Sequence, residues 1–208
     1  MISSGGGPMR EWRIVAWGIV LGALAGEGPA EAHLVTTGLG PVYDGLVHFA
    51  VTPEDLVPAM ALAALAGLRG PAHGRRTLFA LPSAWLLGGL LGLSLHGGAS
   101  PLATGVSFLL LGALVAADAR LPLIATTALA ALLGLVHGSL NGLAMAGAGL
   151  GALSVLGIVA SVFILAALVT SLVVPLRAAW ARVAVRVAGS WIAAVGLLQL
   201  GWALRPGV

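Results

Sequence analysis

Apolar residues fill most of this chain in long blocks, separated by short clusters of Gly, Pro, Ser and Arg. The blocks lack the period-two alternation of membrane barrel strands, and several approach the roughly 20 residues that a helix needs to cross a bilayer. They predict six spanning helices, at about residues 53–69, 77–95, 102–118, 121–137, 149–173 and 184–204. Just ahead of the first, GPVYDGLVHFAV is also apolar and has Pro41 at a plausible helix start. The first membrane segment is therefore expected to be broken into two helical pieces, as in transporters whose discontinuous helices carry ion sites.

The N-terminus follows a different pattern. Arg10 and Arg13 form a basic region, IVAWGIVLGALAG an apolar core, and Ala30 and Ala32 an A-x-A arrangement. Residues 1–32 thus read as a secretion signal and 33–208 as one transmembrane domain; an uncleaved signal would add a helix. Cleavage would leave His33 first, where its amine and imidazole together chelate copper or nickel. The glycines Gly134, Gly138 and Gly142 recur every fourth residue along the fourth span. They predict one closely packed face, because small residues let helix backbones approach in membranes.

Composition strengthens the membrane reading. Of 208 residues, 59% are hydrophobic and 8% charged, and the mean hydropathy is +1.06. The expected fold is an all-α membrane protein, a polytopic bundle in contact with lipid. All ten basic residues are Arg, so the sequence pI near 11.1 reflects a few loop arginines and does not point to nucleic acid. With no cysteine, disulfides and thiolate metal sites are excluded. Arg69, Arg75, Arg76, Arg120, Arg177, Arg182 and Arg186 fall on one side under this topology. The positive-inside rule makes that side cytoplasmic and directs the mature N-terminus outward, in the cytoplasmic membrane of a bacterium. The segment HGSLNGLAMAGAG then reads as an outward loop, and HGGASP as another.

Few ionisable residues remain for chemistry. In TPED, Thr52 is suited to cap a helix, Pro53 to begin it, and Glu54 and Asp55 to sit in its first turn. By itself that describes an ordinary helix start. Asp44 and His48 lie four apart and share a face if helical, and His137 and Asn141 do the same beside the glycine face. A His within a span is costly unless it faces the bundle interior; the plain alternative is an imidazole bonding a carbonyl across helices. Imidazole with carboxylate suits nickel, cobalt, zinc or copper. His48, Glu54, Asp55 and His137 form a candidate site for a divalent ion, supplemented by Asp44 and Asn141. His73 and His96 are expected in solvated loops, Asp118 in a pair with Arg120, and Trp85, Trp191 and Trp202 as packing or interface anchors.

The order of these elements resembles the HupE/UreJ family of hydrogenase- and urease-associated membrane proteins, over most of residues 33–204. LPSAWLLGGLLG and LLLGALVAADARLPL carry part of the likeness. Family members have an H-x5-D-H motif in the first membrane segment and one like H-G-x-x-H-G-x-E in the fourth. His48 matches the first motif's opening His, Glu54 replaces its Asp and Asp55 its second His; a one-residue shift puts Asp55 on the Asp and Leu56 on the His. In the second motif His137, Gly138 and Gly142 match, whereas Asn141 replaces a His and Ala144 a Glu. The resemblance implies a permease for nickel or cobalt rather than an enzyme. The competing expectation is a non-transporting membrane subunit that anchors or assists a metalloenzyme or accessory partner.

Overall fold

Proline marks where most of the first helices begin. Pro41, Pro53, Pro71 and Pro101 each stand at the start of a helix, where the missing N–H leaves no bond unmade and the fixed φ already suits the helix. The structure, a computed structural model, describes residues 37–96 and 100–205. These residues form seven helices and no strand: α1 (Pro41–Val51), α2 (Pro53–Arg69), α3 (Pro71–Gly92), α4 (Pro101–Ala116), α5 (Leu123–Gly147), α6 (Ala152–Val173) and α7 (Ala179–Ala203). The expected signal peptide, residues 1–32, and His33 lie outside the described residues.

The broken first segment is present. α1 and α2 meet at 73°, with Thr52 extended between them. The side-chain cap that the sequence suggested for Thr52 on α2 is not made. The Thr52 hydroxyl instead donates to the carbonyl of His48 at 2.6 Å, closing the end of α1. Its oxygen takes no hydrogen bond from the first amides of α2, the role a capping hydroxyl would play.

Among the described residues α5, α6 and α7 are long and apolar enough to cross a membrane, and the bent α1–α2 pair makes a fourth candidate if taken as one span. Length and composition alone therefore reach fewer than the six expected spans. α3 has the length, 22 residues, but opens with His73, Arg75 and Arg76; α4 is only 16 residues long. Leu132, Leu156, Leu172, Leu197 and Leu198 are among the many large apolar side chains left outside. Lipid is the medium that such a surface fits.

α2 forms the interior of the bundle. Ala59, Leu62, Ala63, Leu65 and Ala66 along it are almost fully buried, and they join Leu81 and Trp85 of α3 and Ile158 and Val162 of α6. α3 and α5 pack over their full lengths through the expected glycine face. A Cβ added at Gly134 would lie 2.6 Å from the carbonyl oxygen of Leu81, and one at Gly138 or Gly142 would overlap the carbonyls of Trp85 and Gly89. This contact explains a correction to the sequence reading. Residues 137–147, read above as nearly all of the outward loop HGSLNGLAMAGAG, continue α5, because Gly138 and Gly142 are held helical by the α3 backbone that they touch. α5 then ends where Gly149 adopts φ 73° and Leu150 donates to the Met145 carbonyl at 2.8 Å, a glycine-based stop.

The opposite end of the bundle, where α2 ends and α7 begins, carries most of the described arginines. Asp118 meets Arg69 at the end of α2 and Arg182 near the start of α7, the latter at 3.2 Å, in place of the expected partner Arg120. Asp118 sits at φ 50°, in a helix-ending turn where its own N–H reaches Val115 and that of Ala119 reaches Leu114, both at 3.0 Å. Glycine is the usual residue there; Asp tolerates the conformation and adds the carboxylate that two arginines share. His73 is in the first turn of α3 and not in a loop, its Nε2 3.3 Å from the Leu121 carbonyl oxygen. Trp191 and Trp202 are exposed.

Candidate functional site

His137 lies near the middle of the 25-residue α5, on the same face as Gly134, Gly138 and Asn141. That face turns inward because the glycines draw α5 against α3, which leaves the imidazole 1% exposed. A buried imidazole needs partners for its nitrogens, and His137 has two. Nδ1 is 2.8 Å from Oδ1 of Asp55, and Nε2 is 2.9 Å from the hydroxyl of Ser107 on α4. Asp55 is 4% exposed and reaches this point because the break at Thr52 starts α2 inside the bundle. Its second oxygen accepts from Nδ2 of Asn141 at 2.7 Å, and Asn141 Oδ1 accepts from the indole N–H of Trp85 at 3.1 Å. Four helices thus meet in one hydrogen-bonded line: Ser107, His137, Asp55, Asn141 and Trp85.

Proton counting fixes most of this line. The Ser107 hydroxyl lies 2.8 Å from the carbonyl oxygen of Ala103 as well as 2.9 Å from His137. It has one hydrogen. Both contacts form together only if Ser107 donates to Ala103 and accepts from Nε2–H of His137. Nδ1 and Oδ1 of Asp55 then share a single remaining proton.

Of the six residues singled out from the sequence, the structure brings three together: Asp55, His137 and Asn141. Glu54, the neighbouring acid, is exposed, so of the two alignments left open by the H-x5-D-H motif it is Asp55 that turns inward. Asp44 is buried on α1 but accepts from the amide and hydroxyl of Thr37, at 2.6 and 2.7 Å. His48 is 4% exposed on the same face of α1, and its ring makes no hydrogen bond among the described residues. No group of three His, Asp or Glu side chains converges among the described residues in a way that would hold a metal ion. The expected four-donor set is therefore not assembled in this conformation. His48 stands on one helical piece and Asp55 on another turned by 73°.

Sequence reasoning missed Ser107 and the hydrogen bond that Trp85 makes. Ser107 stands alone among apolar residues in TGVSFLLL, and only the packing of α4 beside α5 reveals its partner. It also lines an apolar cleft of about 310 Å³ between these helices, with Leu102, Val106, Leu133 and Val136. Trp85, expected as a packing or interface anchor, is fully buried. Its ring stands edge-on to Phe49 at 5.8 Å and tilted beside His137 at 5.7 Å. A cue was present in the sequence: an indole N–H must find an acceptor when buried, and Asn141 is one of few side chains able to provide it.

A family model described as HupE / UreJ protein matches residues 19–199 of the chain. No curated protein and no solved structure matches it.

Proposed function

Because the chain belongs to the HupE / UreJ protein family, we propose that it is a permease for a divalent transition-metal cation, nickel or cobalt, which it binds between Nδ1 of His137 and the carboxylate of Asp55. The observation that carries this reading is the buried 2.8 Å contact between those two groups. A cation entering there replaces the proton they share. The two groups move apart to accommodate first-row metal bonds of about 2.0–2.2 Å to nitrogen and oxygen. Asp55 offsets part of the ion's charge, and the imidazole gives the nitrogen donor that nickel and cobalt prefer over magnesium or calcium. Ser107 holds the Nε2–H and so keeps the Nδ1 lone pair directed at the ion.

His48 serves on the approach. Buried on α1 beyond the break, it offers a second imidazole before the ion reaches Asp55, and Asp44 one turn earlier adds negative charge. With the arginine-rich end cytoplasmic, the ion passes inward, gaining about 4.6 kcal/mol per 100 mV as a double charge. No ATPase is needed for that step. A small number of donors also suits conduction, since an ion held by too many ligands does not leave.

The absence of three converging donors among the described residues favours a second reading, a membrane accessory subunit whose site no longer retains an ion. Nickel uptake by cells producing the protein separates the two. The permease reading expects uptake that falls to background with His137→Ala. Uptake equal to that of cells lacking the protein, together with a metalloenzyme partner co-purifying in mild detergent, supports the accessory role.

A further inference from the structure

Asn141 stands where the family resemblance places a histidine, and its amide has a donor end and an acceptor end. Which end faces the ion is decided by Trp85. An indole N–H can only donate, and that of Trp85, in a fully buried side chain, is directed at Asn141 Oδ1 at 3.1 Å. The other end of the amide is then committed to Asp55, with Nδ2 2.7 Å from Oδ2. Turning the amide over would set N–H against N–H on one side and carbonyl against carboxylate on the other. Trp85 itself has little freedom: Phe49 and His137 lie against its ring, and Gly138 packs on its backbone carbonyl.

We propose that Trp85 is a positioning residue that sets metal selectivity by withholding the amide oxygen of Asn141 from the ion. This rests on the reading of Asp55 and His137 as the binding pair. With its oxygen turned to the indole, Asn141 offers the site a hydrogen-bond donor to Asp55 and directs its carbonyl oxygen away from it. The ion meets one carboxylate and one imidazole. Ions that depend on oxygen ligands, such as manganese, lose a donor they would use, whereas nickel and cobalt are compensated by the imidazole. Trp85 therefore discriminates against oxygen-preferring divalent ions without touching any of them.

Trp85→Phe keeps an aromatic ring in the core and removes the donor together with part of the indole volume, a loss that the double variant below shares. Competition binding of Mn²⁺ against Ni²⁺ on purified protein in detergent is expected to shift toward Mn²⁺ by about fivefold, the equilibrium factor of one neutral hydrogen bond. The gain should vanish in Trp85→Phe combined with Asn141→Leu, which has no oxygen to release. A folded Trp85→Phe protein with an unchanged ratio, or an equal shift in the double variant, overturns the proposal. A second measurement uses neither metal nor a Trp85 variant. The indole N–H proton resonance of Trp85 in ¹⁵N-labelled protein is expected to move upfield in Asn141→Leu, and an unmoved resonance overturns the proposal by itself. Failure of the wild-type protein to bind either ion, with the resonance shifted as expected, defeats the permease reading and the selectivity role with it, while the hydrogen bond stands.

Discussion

Asp55 and His137 are 82 positions apart in the chain, yet Oδ1 of one lies 2.8 Å from Nδ1 of the other inside the bundle. Neither is replaceable by an apolar residue without stranding its partner. Asp55→Ala leaves the donors of Asn141 and His137 facing a cavity, and breaking a buried pair of this kind costs about 3–5 kcal/mol. Thermal unfolding in detergent should show a fall of several degrees for Asp55→Ala. Glu54→Gln, at an exposed position of the same helical turn, should stay within about 0.5 kcal/mol of wild type. Equal losses for the two would contradict the inward placement of Asp55.

Ser107 acts on the ion through His137. Removing its hydroxyl leaves Nε2–H without an acceptor and lets the imidazole change tautomer or turn. Partners of this type are worth about 10–100-fold in metal affinity. Ser107→Ala should weaken nickel binding by that factor, and Ser107→Thr, which retains a hydroxyl, should recover most of it. Isothermal titration on the purified protein reads both; equal affinities for the alanine variant and wild type would remove Ser107 from the site.

The glycine seam gives a test of packing alone. A Cβ at Gly138 overlaps the Trp85 carbonyl, whereas one at Gly147, the last residue of the same helix, meets nothing within 4 Å. Gly138→Ala forces α3 and α5 apart and should cost about 1–3 kcal/mol. Gly147→Ala should be neutral or slightly stabilising, since alanine is the better helix former. Thermal midpoints of the two variants compared side by side settle the matter.

At the arginine-rich end, burial ranks the two partners of Asp118. The Arg69 side chain is 9% exposed and that of Arg182 35%. Solvent screens the second pair, so Arg182→Ala should cost less than about 1 kcal/mol. Arg69→Ala should cost more, between about 1 and 3 kcal/mol. Asp118→Asn keeps a residue that tolerates the positive φ and removes the charge; its loss should match the two arginine variants combined. Denaturation at low and high salt checks the ranking, since only the Arg182 contribution should fall with salt.

Much of the architecture was legible in the sequence because it is written in local signals. Pro41 and Pro53 mark both halves of the broken segment, and the four-residue glycine repeat marks the α3-facing side of α5. The end of α5 was not legible. HGSLNG looks like a loop to any local rule, and it is helical only because a second helix lies against Gly138 and Gly142. The site divides in the same way. Asp55, His137 and Asn141 stand out as polar residues in an apolar setting, but the choice between Glu54 and Asp55 depends on the 73° bend at Thr52. Ser107 and Trp85 carry weaker marks, a lone hydroxyl and an indole that needs an acceptor once buried, and both are ordinary in a membrane helix until the partner across the interface is known.

The coordination of nickel in the loaded protein tests the central claim most directly. X-ray absorption at the nickel edge should show oxygen donors together with imidazole nitrogen in the wild-type protein, and that nitrogen should be lost in His137→Ala. An imidazole shell unchanged in His137→Ala, or wild-type protein that retains no nickel at saturating concentration, would contradict it.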